Sequence, residues 1–266
     1  TVSRPKQRGP NRLSVDVSGG RRVPAVFVNE HHVGAHRGAG TAFTFEVTDK
    51  IRFGADNALL VMVNNSSRND VLPTSTDMNL YGGIYREAEL IVTEATAISP
   101  LYLGSDGVIV HSREVSAERA EGEIEVHLTS KGQNTCTLNI EINAPDGRQV
   151  FAKRQKAKID EKPVAIPFTI EKPELWTPEH PAHYTVPAAI GEDSIADRVV
   201  VRTGFRAISV STEGGFTING ARIPIHGVEL HHDNTLSGGT LVAEDYNADL
   251  RQIHDIGANA IRSAVF

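Results

Sequence analysis

The sequence predicts a mainly β protein in which two antiparallel β-sandwiches precede the start of a parallel α/β unit. From residue 11 to about residue 205, apolar and polar residues alternate in short runs, and Gly, Asn, Asp and Pro separate these runs. The same range contains no long stretch with apolar residues at helical spacing. After about residue 220 the pattern changes to strand, helix, strand, which favours parallel pairing.

The first block of predicted strands ends near residues 93–96, where a new series begins. A turn at Asn29-Glu30-His31-His32 follows its second strand. Short half-buried strands at this spacing are typical of a sandwich or a barrel. The predicted strands of this block cover residues 12–17, 23–29, 42–47, 59–63 and 84–92.

The second block contains about seven predicted strands in roughly 110 residues, the number expected for an immunoglobulin-like sandwich. The only cysteine, Cys136, lies in one of them, and we expect it to be buried as a small apolar residue. A single cysteine excludes an internal disulfide and a cysteine-based metal site. The clearest strands cover residues 108–111, 123–128, 136–142, 165–170, 184–186 and 198–202.

A strand, a helix and a second strand are predicted near the end of the chain. Residues 223–230 contain a strand that looks buried, and residues 259–262 predict another. Between them lies an amphipathic helix, after which Gly257 is a natural left-handed C-cap. The helix is indicated by apolar residues at three- and four-residue steps, which are Tyr246, Leu250, Ile253 and Ile256.

The composition excludes several classes of protein. The chain has 266 residues, of which 39% are hydrophobic, enough for two domains and a remainder. No apolar run approaches about 18 residues, so no membrane span is expected. Lys and Arg are spread thinly along a chain of net charge −6, which argues against nucleic acid as a partner. The first residues contain no apolar signal core, and the compartment stays open between cytoplasm and periplasm.

Three segments in the first two blocks resemble signatures of glycoside hydrolase family 2. Residues 26–36 (Val-Phe-Val-Asn-Glu-His-His-Val-Gly-Ala-His) are similar to a hairpin of the family's sugar-binding domain. Residues 79–90, with Gly-Gly-Ile-Tyr-Arg at 82–86, are similar to the closing strand of that domain. Residues 173–186, with Leu-Trp-Thr-Pro-Glu, resemble a segment near the end of its immunoglobulin-like domain. We therefore expect Trp176 to support the second sandwich and not to stack against sugar.

The end of the chain resembles the same family. Residues 204–206, 215–220 and 227–233 are similar to the approach to the family's barrel and its first strand, and residues 257–262 to its second strand. The order and spacing agree over nearly the whole chain after residue 11. The resemblance implies three domains: a jelly-roll-like sugar-binding sandwich at 1–94, an immunoglobulin-like β-sandwich at 95–205, and the truncated start (βαβ) of a TIM barrel at 206–266.

Four positions depart from the family pattern. Glu30 stands where the family usually has Gly in the hairpin turn, and His226 where it usually has Arg or Lys. Glu229 often corresponds to Asn, and the His that usually follows the second barrel strand is absent after Arg262.

The resemblance implies a retaining glycoside hydrolase acting on β-galactosides or related β-glycosides, with carbohydrate as its partner and no cofactor. Such hydrolysis needs two carboxylates about 5 Å apart. In the family both are glutamates on later barrel strands, the first in an Asn-Glu-Pro or similar motif. This sequence contains no Asn-Glu-Pro. We therefore expect an N-terminal portion without catalytic residues, inactive by itself.

Four residues are candidates for binding substrate. His231 and Asp233 follow the first barrel strand, where strand ends face the active site of such barrels. Arg262 ends the second strand, and either pairs with an active-site carboxylate or caps the strand with a salt bridge. Asp77 precedes the Gly82-Gly83 pair, where some relatives send an acidic residue into the sugar site, although an Asp at a turn can also simply cap it.

No metal site is expected at His231-His232-Asp233, because adjacent residues on a strand point to opposite faces.

Two other functions stay open: a carbohydrate-binding module without catalysis, and a purely structural protein. The predicted parallel unit favours the hydrolase. Self-association or disorder at residues 220–266 is also predicted, because an incomplete barrel leaves apolar side chains uncovered. These are Ile225, Val228, Leu250, Ile253 and Ile261.

Overall fold

The computed structural model describes residues 11–20, 23–38, 40–66, 69–71, 82–192 and 194–264. The chain forms two compact units. One contains residues 1–93, 103–105 and 226–266, and the other contains residues 94–102 and 106–225. Strands dominate both units, which confirms the predicted mainly β class.

The first unit contains a sandwich of two three-stranded antiparallel sheets, ordered β4-β1-β6 and β3-β2-β5. Its core is built by alternate residues of two strands, with Leu13, Val15 and Val17 packing in one cluster with Val26 and Val28. A short 3₁₀ helix spans Thr48–Lys50. The strands are β1 (Arg12–Val17), β2 (Val23–Val28), β3 (His31–Ala35), β4 (Phe43–Glu46), β5 (Leu59–Asn64) and β6 (Ala88–Thr93).

The strand predicted over residues 84–92 is shorter than expected. β6 begins at Ala88, and Ile84 forms only an isolated bridge with Gly20. Gly83 has φ = 102°, a conformation outside the strand region, so the chain enters the sheet several residues later.

The hairpin between β2 and β3 closes with a tight two-residue turn. Asn29 and Glu30 have φ of 48° and 71°, the left-handed pair that a type I′ turn requires. The Asn29 side chain is fixed, because its Nδ2 donates to Asn57 Oδ1 (2.8 Å) and to the Lys50 carbonyl (2.7 Å). Glu30 is exposed, and its Cβ carries the strain that the usual glycine would avoid.

The second unit is a sandwich of a four-stranded sheet, β12-β11-β14-β15, and a three-stranded sheet, β13-β9-β8; β7 and β10 form a separate pair. Ile124, Ile166 and Phe168 of one sheet share a buried cluster with Leu138 and Ile140 of the other. The strands are β7 (Thr96–Ile98), β8 (Val108–Val115), β9 (Arg119–Val126), β10 (Leu128–Ser130), β11 (Thr135–Asn143), β12 (Gln149–Lys158), β13 (Val164–Glu171), β14 (Tyr184–Ile190) and β15 (Asp197–Thr203).

Cys136 is half-buried and not fully buried as expected. It lies at the start of β11, beside the buried core, and desolvation raises the pKa of its thiol. Phe205 anchors the end of this sandwich, because its ring packs 4.7 Å from that of Tyr184 and 5.8 Å from that of Phe168, centroid to centroid. The hydroxyl of Tyr184 accepts the Glu174 N–H (2.8 Å).

A small antiparallel sheet follows within the same unit, in the order β16-β17-β18. It leaves Ile208 and Val210 exposed. Its strands are β16 (Ile208–Ser211), β17 (Gly215–Ile218) and β18 (Ala221–Arg222).

The segment of residues 226–264, hereafter the βαβ segment, contains β19 (Gly227–His231), α1 (Ala243–Asp255) and β20 (Ala260–Ala264). The two strands pair in parallel, as predicted. The helix begins where the Asp245 carboxylate accepts the Val242 N–H (3.0 Å), and Gly257 follows it with φ = 79°, the left-handed cap that was predicted. Among the described residues no helix is long and apolar enough to cross a membrane.

The buried strand predicted over residues 223–230 differs from the observed one. β19 begins only at Gly227, and the Ile225 side chain before it is 53% exposed. In the part of the chain that is described, β19 pairs only with β20, so no further strand covers this side chain.

Candidate functional site

The candidate site lies on one face of the two parallel strands of the βαβ segment. Glu229 is directly opposite Arg262 in the register, and His231 is opposite Ala264. Along β19 exposed and half-buried residues alternate, so Glu229 and His231 share the exposed face. The half-buried Val228 and Leu230 lie on the other face. Polar groups and apolar groups are therefore separated between the two faces of this pair of strands.

Arg262 and Glu229 form an ion pair across the two strands. Nη1 of Arg262 donates to Oε1 of Glu229 at 3.2 Å. Because the parallel register places the two residues opposite each other, the pair is a direct consequence of how β19 and β20 align. The sequence left two roles open for Arg262, a pair with an active-site carboxylate or a salt bridge that caps the strand. The structure shows an ion pair with a carboxylate of the neighbouring strand, Glu229.

His231 is the last residue of β19, so its side chain stands at the carboxyl end of a parallel strand. This edge is where ligands bind in parallel α/β folds. The His231 side chain is exposed and has no hydrogen-bond partner within the described part of the chain. It is free to donate to, or accept from, a ligand hydroxyl.

His232 points away from this exposed face. Its ring lies 5.8 Å from the ring of Tyr246 of α1, centroid to centroid. Its Nδ1 is buried without a hydrogen-bond partner among the described residues. The two adjacent histidines therefore have different surroundings, as alternation along a strand requires.

Asp233 lies in the exposed loop that leaves β19. The loop is held by Asn234, whose Oδ1 accepts the N–H groups of Leu236 (3.0 Å) and Ser237 (2.7 Å). Asn234 and Gly238 also exchange two backbone hydrogen bonds, each 3.0 Å. Among the described residues no hydrogen bond joins Asp233 to Glu229, His231 or Arg262. The structure therefore places Asp233 next to the site and does not connect it to the ion pair.

The start of the two strands is also fixed, by one side-chain and one backbone hydrogen bond. Asn259 Oδ1 accepts the His226 N–H (2.8 Å), and the Asn259 N–H donates to the His226 carbonyl (3.0 Å). This reciprocal pair sets the alignment from which the Glu229–Arg262 contact follows. His226, where the family usually has Arg or Lys, takes part through its backbone.

Asp77, the fourth predicted site residue, lies outside the described residues. Within the described ranges, no three side chains of His, Cys, Asp or Glu are grouped so that they could hold a metal ion. The site thus presents a neutralised charge pair and a free imidazole, groups that can hydrogen-bond a polyhydroxylated ligand.

The pairing of Glu229 with Arg262 was not predicted from the sequence. The sequence did indicate that Glu229 shares a face with His231, because the two residues are two positions apart on one strand. It did not indicate the parallel register that places Glu229 opposite Arg262. Asn234 was also missed, although an Asn just after a strand and before Gly238-Gly239 is a typical loop organiser.

Comparison with known proteins identifies the group to which the chain is similar. The sequence model of glycosyl hydrolases family 2 matches residues 107–206, and that of the family 2 TIM barrel domain matches residues 208–266. A β-glucuronidase of Bacteroides fragilis is 35% identical over 98% of this chain and 38% of its own length. A β-galactosidase of Thermoanaerobacter pseudethanolicus is 27% identical over 91% of this chain and 32% of its own length.

Solved structures agree with these matches. The crystal structure of Bacteroides uniformis β-glucuronidase aligns with a TM-score of 0.90 at 28% identity, covering 97% of this chain and 32% of that chain. The chain thus spans 38% and 32% of the length of the two curated relatives named above. The sandwich of the second unit, the parallel start of a barrel and these matches lead to one conclusion: the chain belongs to glycosyl hydrolase family 2.

Proposed function

We propose that these residues form the N-terminal, non-catalytic portion of a retaining hydrolase that cleaves the O-glycosidic bonds of β-galactosides or related β-glycosides. The parallel β19–α1–β20 arrangement supports this most, since a sandwich that only binds sugar has no need for the start of a parallel barrel. The names of the relatives, β-glucuronidase and β-galactosidase, leave both a galactoside and a glucuronide as candidate substrates.

The absence of catalytic residues in this chain is part of the proposal. Retaining hydrolysis requires an acid/base and a nucleophile, two carboxylates about 5 Å apart. The sequence has no Asn-Glu-Pro segment. Glu229, the carboxylate on the exposed face of β19, lies in Val-Glu-Leu and not in such a segment, and it pairs with Arg262. The three domains at 1–94, 95–205 and 206–266 then support a catalytic centre completed by later strands.

Sugar-binding roles follow from the positions of the polar groups. His231 hydrogen-bonds a hydroxyl of the sugar, since it is unpaired and stands at the carboxyl end of a barrel strand. Asp233, in the adjacent loop, accepts a hydrogen bond from another hydroxyl. Asp77 is the fourth proposed substrate-binding residue. Arg262 keeps one side of its guanidinium for Glu229 and directs the remaining N–H groups toward the sugar.

The test uses chromogenic substrates. The purified chain is expected to release no 4-nitrophenol from 4-nitrophenyl β-galactoside or β-glucuronide above a blank. The protein encoded by the full reading frame is expected to hydrolyse one of them. In that protein His231→Ala is expected to lower kcat/KM by roughly 10- to 100-fold, as loss of one hydrogen bond to a bound group does.

His254→Ala is the matched control, because His254 is exposed on α1 and away from the strand ends. Hydrolysis by the purified chain would refute the non-catalytic assignment. Equal effects of the two histidine substitutions would remove His231 from the sugar site. A full-length protein that binds β-glycosides without cleaving them would instead establish a carbohydrate-binding module.

A further inference from the structure

A groove of about 590 Å³ opens on the surface of the second unit, beside the end of β15. This size lies within the range of about 300–1,000 Å³ typical of small-molecule sites. Its polar lining consists of Ser112 of β8, Trp176, His183, Arg202 and Thr203 of β15, and Arg206. We call it the Trp176 groove.

The groove concentrates positive groups on a chain whose net charge is −6. The described residues that line it supply two guanidinium groups and an imidazole, and no carboxylate. Arg202 and Arg206 have no salt bridge within the described residues, and His183 has none either. By contrast Arg113, nearby on β8, is paired with Glu123. Unpaired arginines that converge on a concave surface indicate an anionic ligand.

Arg206 is held in place by Trp176. Its guanidinium lies over the indole, 4.8 Å from the ring centroid. A guanidinium stacked on an aromatic ring keeps its N–H groups free in its own plane, where a carboxylate can accept two of them. The arginine is therefore oriented before any ligand arrives, which lowers the entropic cost of binding.

Trp176 is itself fixed on both sides of its backbone. Its N–H donates to the Phe205 carbonyl (2.8 Å), and its carbonyl accepts from Asn219 Nδ2 (3.0 Å). A Cβ at position 204 would lie 3.0 Å from the indole, so Gly204 allows the close approach of ring and backbone. The indole is thus a rigid support for Arg206, which agrees with the structural role expected for Trp176.

The geometry points to a binding site for an acidic saccharide in the Trp176 groove. Arg206 and Arg202 hold the carboxylate of a uronate residue, and Ser112 and Thr203 hydrogen-bond its hydroxyls. The saccharide part of this inference rests on the proposed function, whereas the anion part rests on the groove alone. The site tethers acidic glycans and performs no chemistry.

The experiment is a calorimetric titration of the purified chain with a β-1,4-linked tetrasaccharide of glucuronate, and with cellotetraose as its neutral counterpart. We expect binding of the acidic tetrasaccharide only, weakened by added salt. The tryptophan fluorescence is expected to change on binding. Because Trp176 is the only tryptophan, such a change places the ligand at the Trp176 groove. Arg202→Ala and Arg206→Ala are each expected to weaken binding about tenfold or more.

Arg198→Ala is the matched control, since Arg198 is exposed on the same strand as Arg202 but outside the groove. It is expected to leave the affinity unchanged. Equal binding of cellotetraose, or equal loss with Arg198→Ala and Arg202→Ala, would overturn the inference. Competition by acetate at the same concentration would show a simple anion site and would overturn the saccharide assignment. No turnover is measured, so failure here is distinct from failure of the proposed hydrolase.

Discussion

Nη1 of Arg262 on β20 donates a hydrogen bond to Oε1 of Glu229 on β19 at 3.2 Å. This is the one position in the register of the two strands at which opposite charges face each other. Both side chains are largely exposed, at 74% and 44% of their full accessible surface. The contact therefore orients the guanidinium more than it stabilises the fold, because exposed ion pairs contribute little free energy.

This view predicts a small effect of Glu229→Asn on stability. The free energy of unfolding is expected to change by less than about 1 kcal/mol, measured by urea denaturation of the purified chain. Glu46→Gln is the comparison, since its pair with Arg12 in the first sandwich is much less exposed, at 23% and 7%. There we expect a loss of about 1–3 kcal/mol, because a buried guanidinium loses its charged partner. A larger loss for Glu229→Asn than for Glu46→Gln would contradict the orienting role.

A second prediction concerns the strained turn at Glu30. With φ = 71°, Glu30→Gly is expected to raise the free energy of unfolding by about 0.5–1 kcal/mol, since relief of the Cβ strain exceeds the added entropy of the unfolded chain. The midpoint of urea denaturation should rise with an unchanged slope. Glu30→Ala keeps the Cβ and is expected to give no gain. A gain as large for Ala as for Gly would trace the effect to the carboxylate and not to the backbone.

A third prediction concerns acid stability. Glu125 accepts from His127 (2.6 Å) and from His111 (3.0 Å). Desolvation acts to raise the pKa of Glu125, but the hydrogen bonds and charges of His127 and His111 together hold it below its usual value. A carboxylate with a lowered pKa in the folded state stabilises the fold above its unfolded pKa. That contribution is lost as the pH falls through the folded pKa.

Glu125→Gln is therefore expected to destabilise the chain at about pH 7 and to have a smaller effect at about pH 3, since the contribution of the charged carboxylate decreases as the pH falls below the unfolded pKa and toward the lowered folded pKa. Urea denaturation at the two pH values measures the difference. Glu114→Gln serves as the control, since Glu114 lies on β8 and is exposed. An equal loss at both pH values would show that shape, and not charge, explains the role of Glu125.

A fourth prediction is that the chain associates through the βαβ segment. Leu250 and Ile256 are 46% and 73% exposed, and Ile261 is 39% exposed. Three exposed apolar side chains on the short βαβ segment favour self-association. Light scattering is expected to show a mass that increases with concentration, and Leu250→Glu with Ile256→Glu should reduce it. Ile195→Glu, at a 67% exposed position of the second sandwich, should leave it unchanged. A monomer at all concentrations would refute the prediction.

Strands with one buried face could be predicted from the sequence, whereas one charged edge strand could not. β9 and β13 alternate between buried and less buried residues, so period two is visible in their sequences. β12 was missed, because Gln149–Lys158 is a sheet edge whose Lys and Arg side chains are mostly exposed. Charged residues protect an edge strand from pairing with other chains, but they also remove the alternation of apolar and polar residues by which a strand is predicted.

The candidate site was only partly predictable for a related reason. The order of strand, helix and strand places His231 at a strand end, because that position depends on local sequence alone. The Glu229–Arg262 contact depends on register between strands that are distant in the chain, and the Trp176 groove gathers residues from several separate segments. Such relationships require the packed structure.

The parallel pairing of β19 with β20 also has a consequence for synthesis on the ribosome. Antiparallel neighbours such as β11 and β12 close through short turns and can pair as soon as both have left the exit tunnel. β19 must wait for α1 and β20, and neither strand gains a second neighbour within the described residues. The sandwiches can thus complete their cores before the βαβ segment becomes protected from chaperones and proteases.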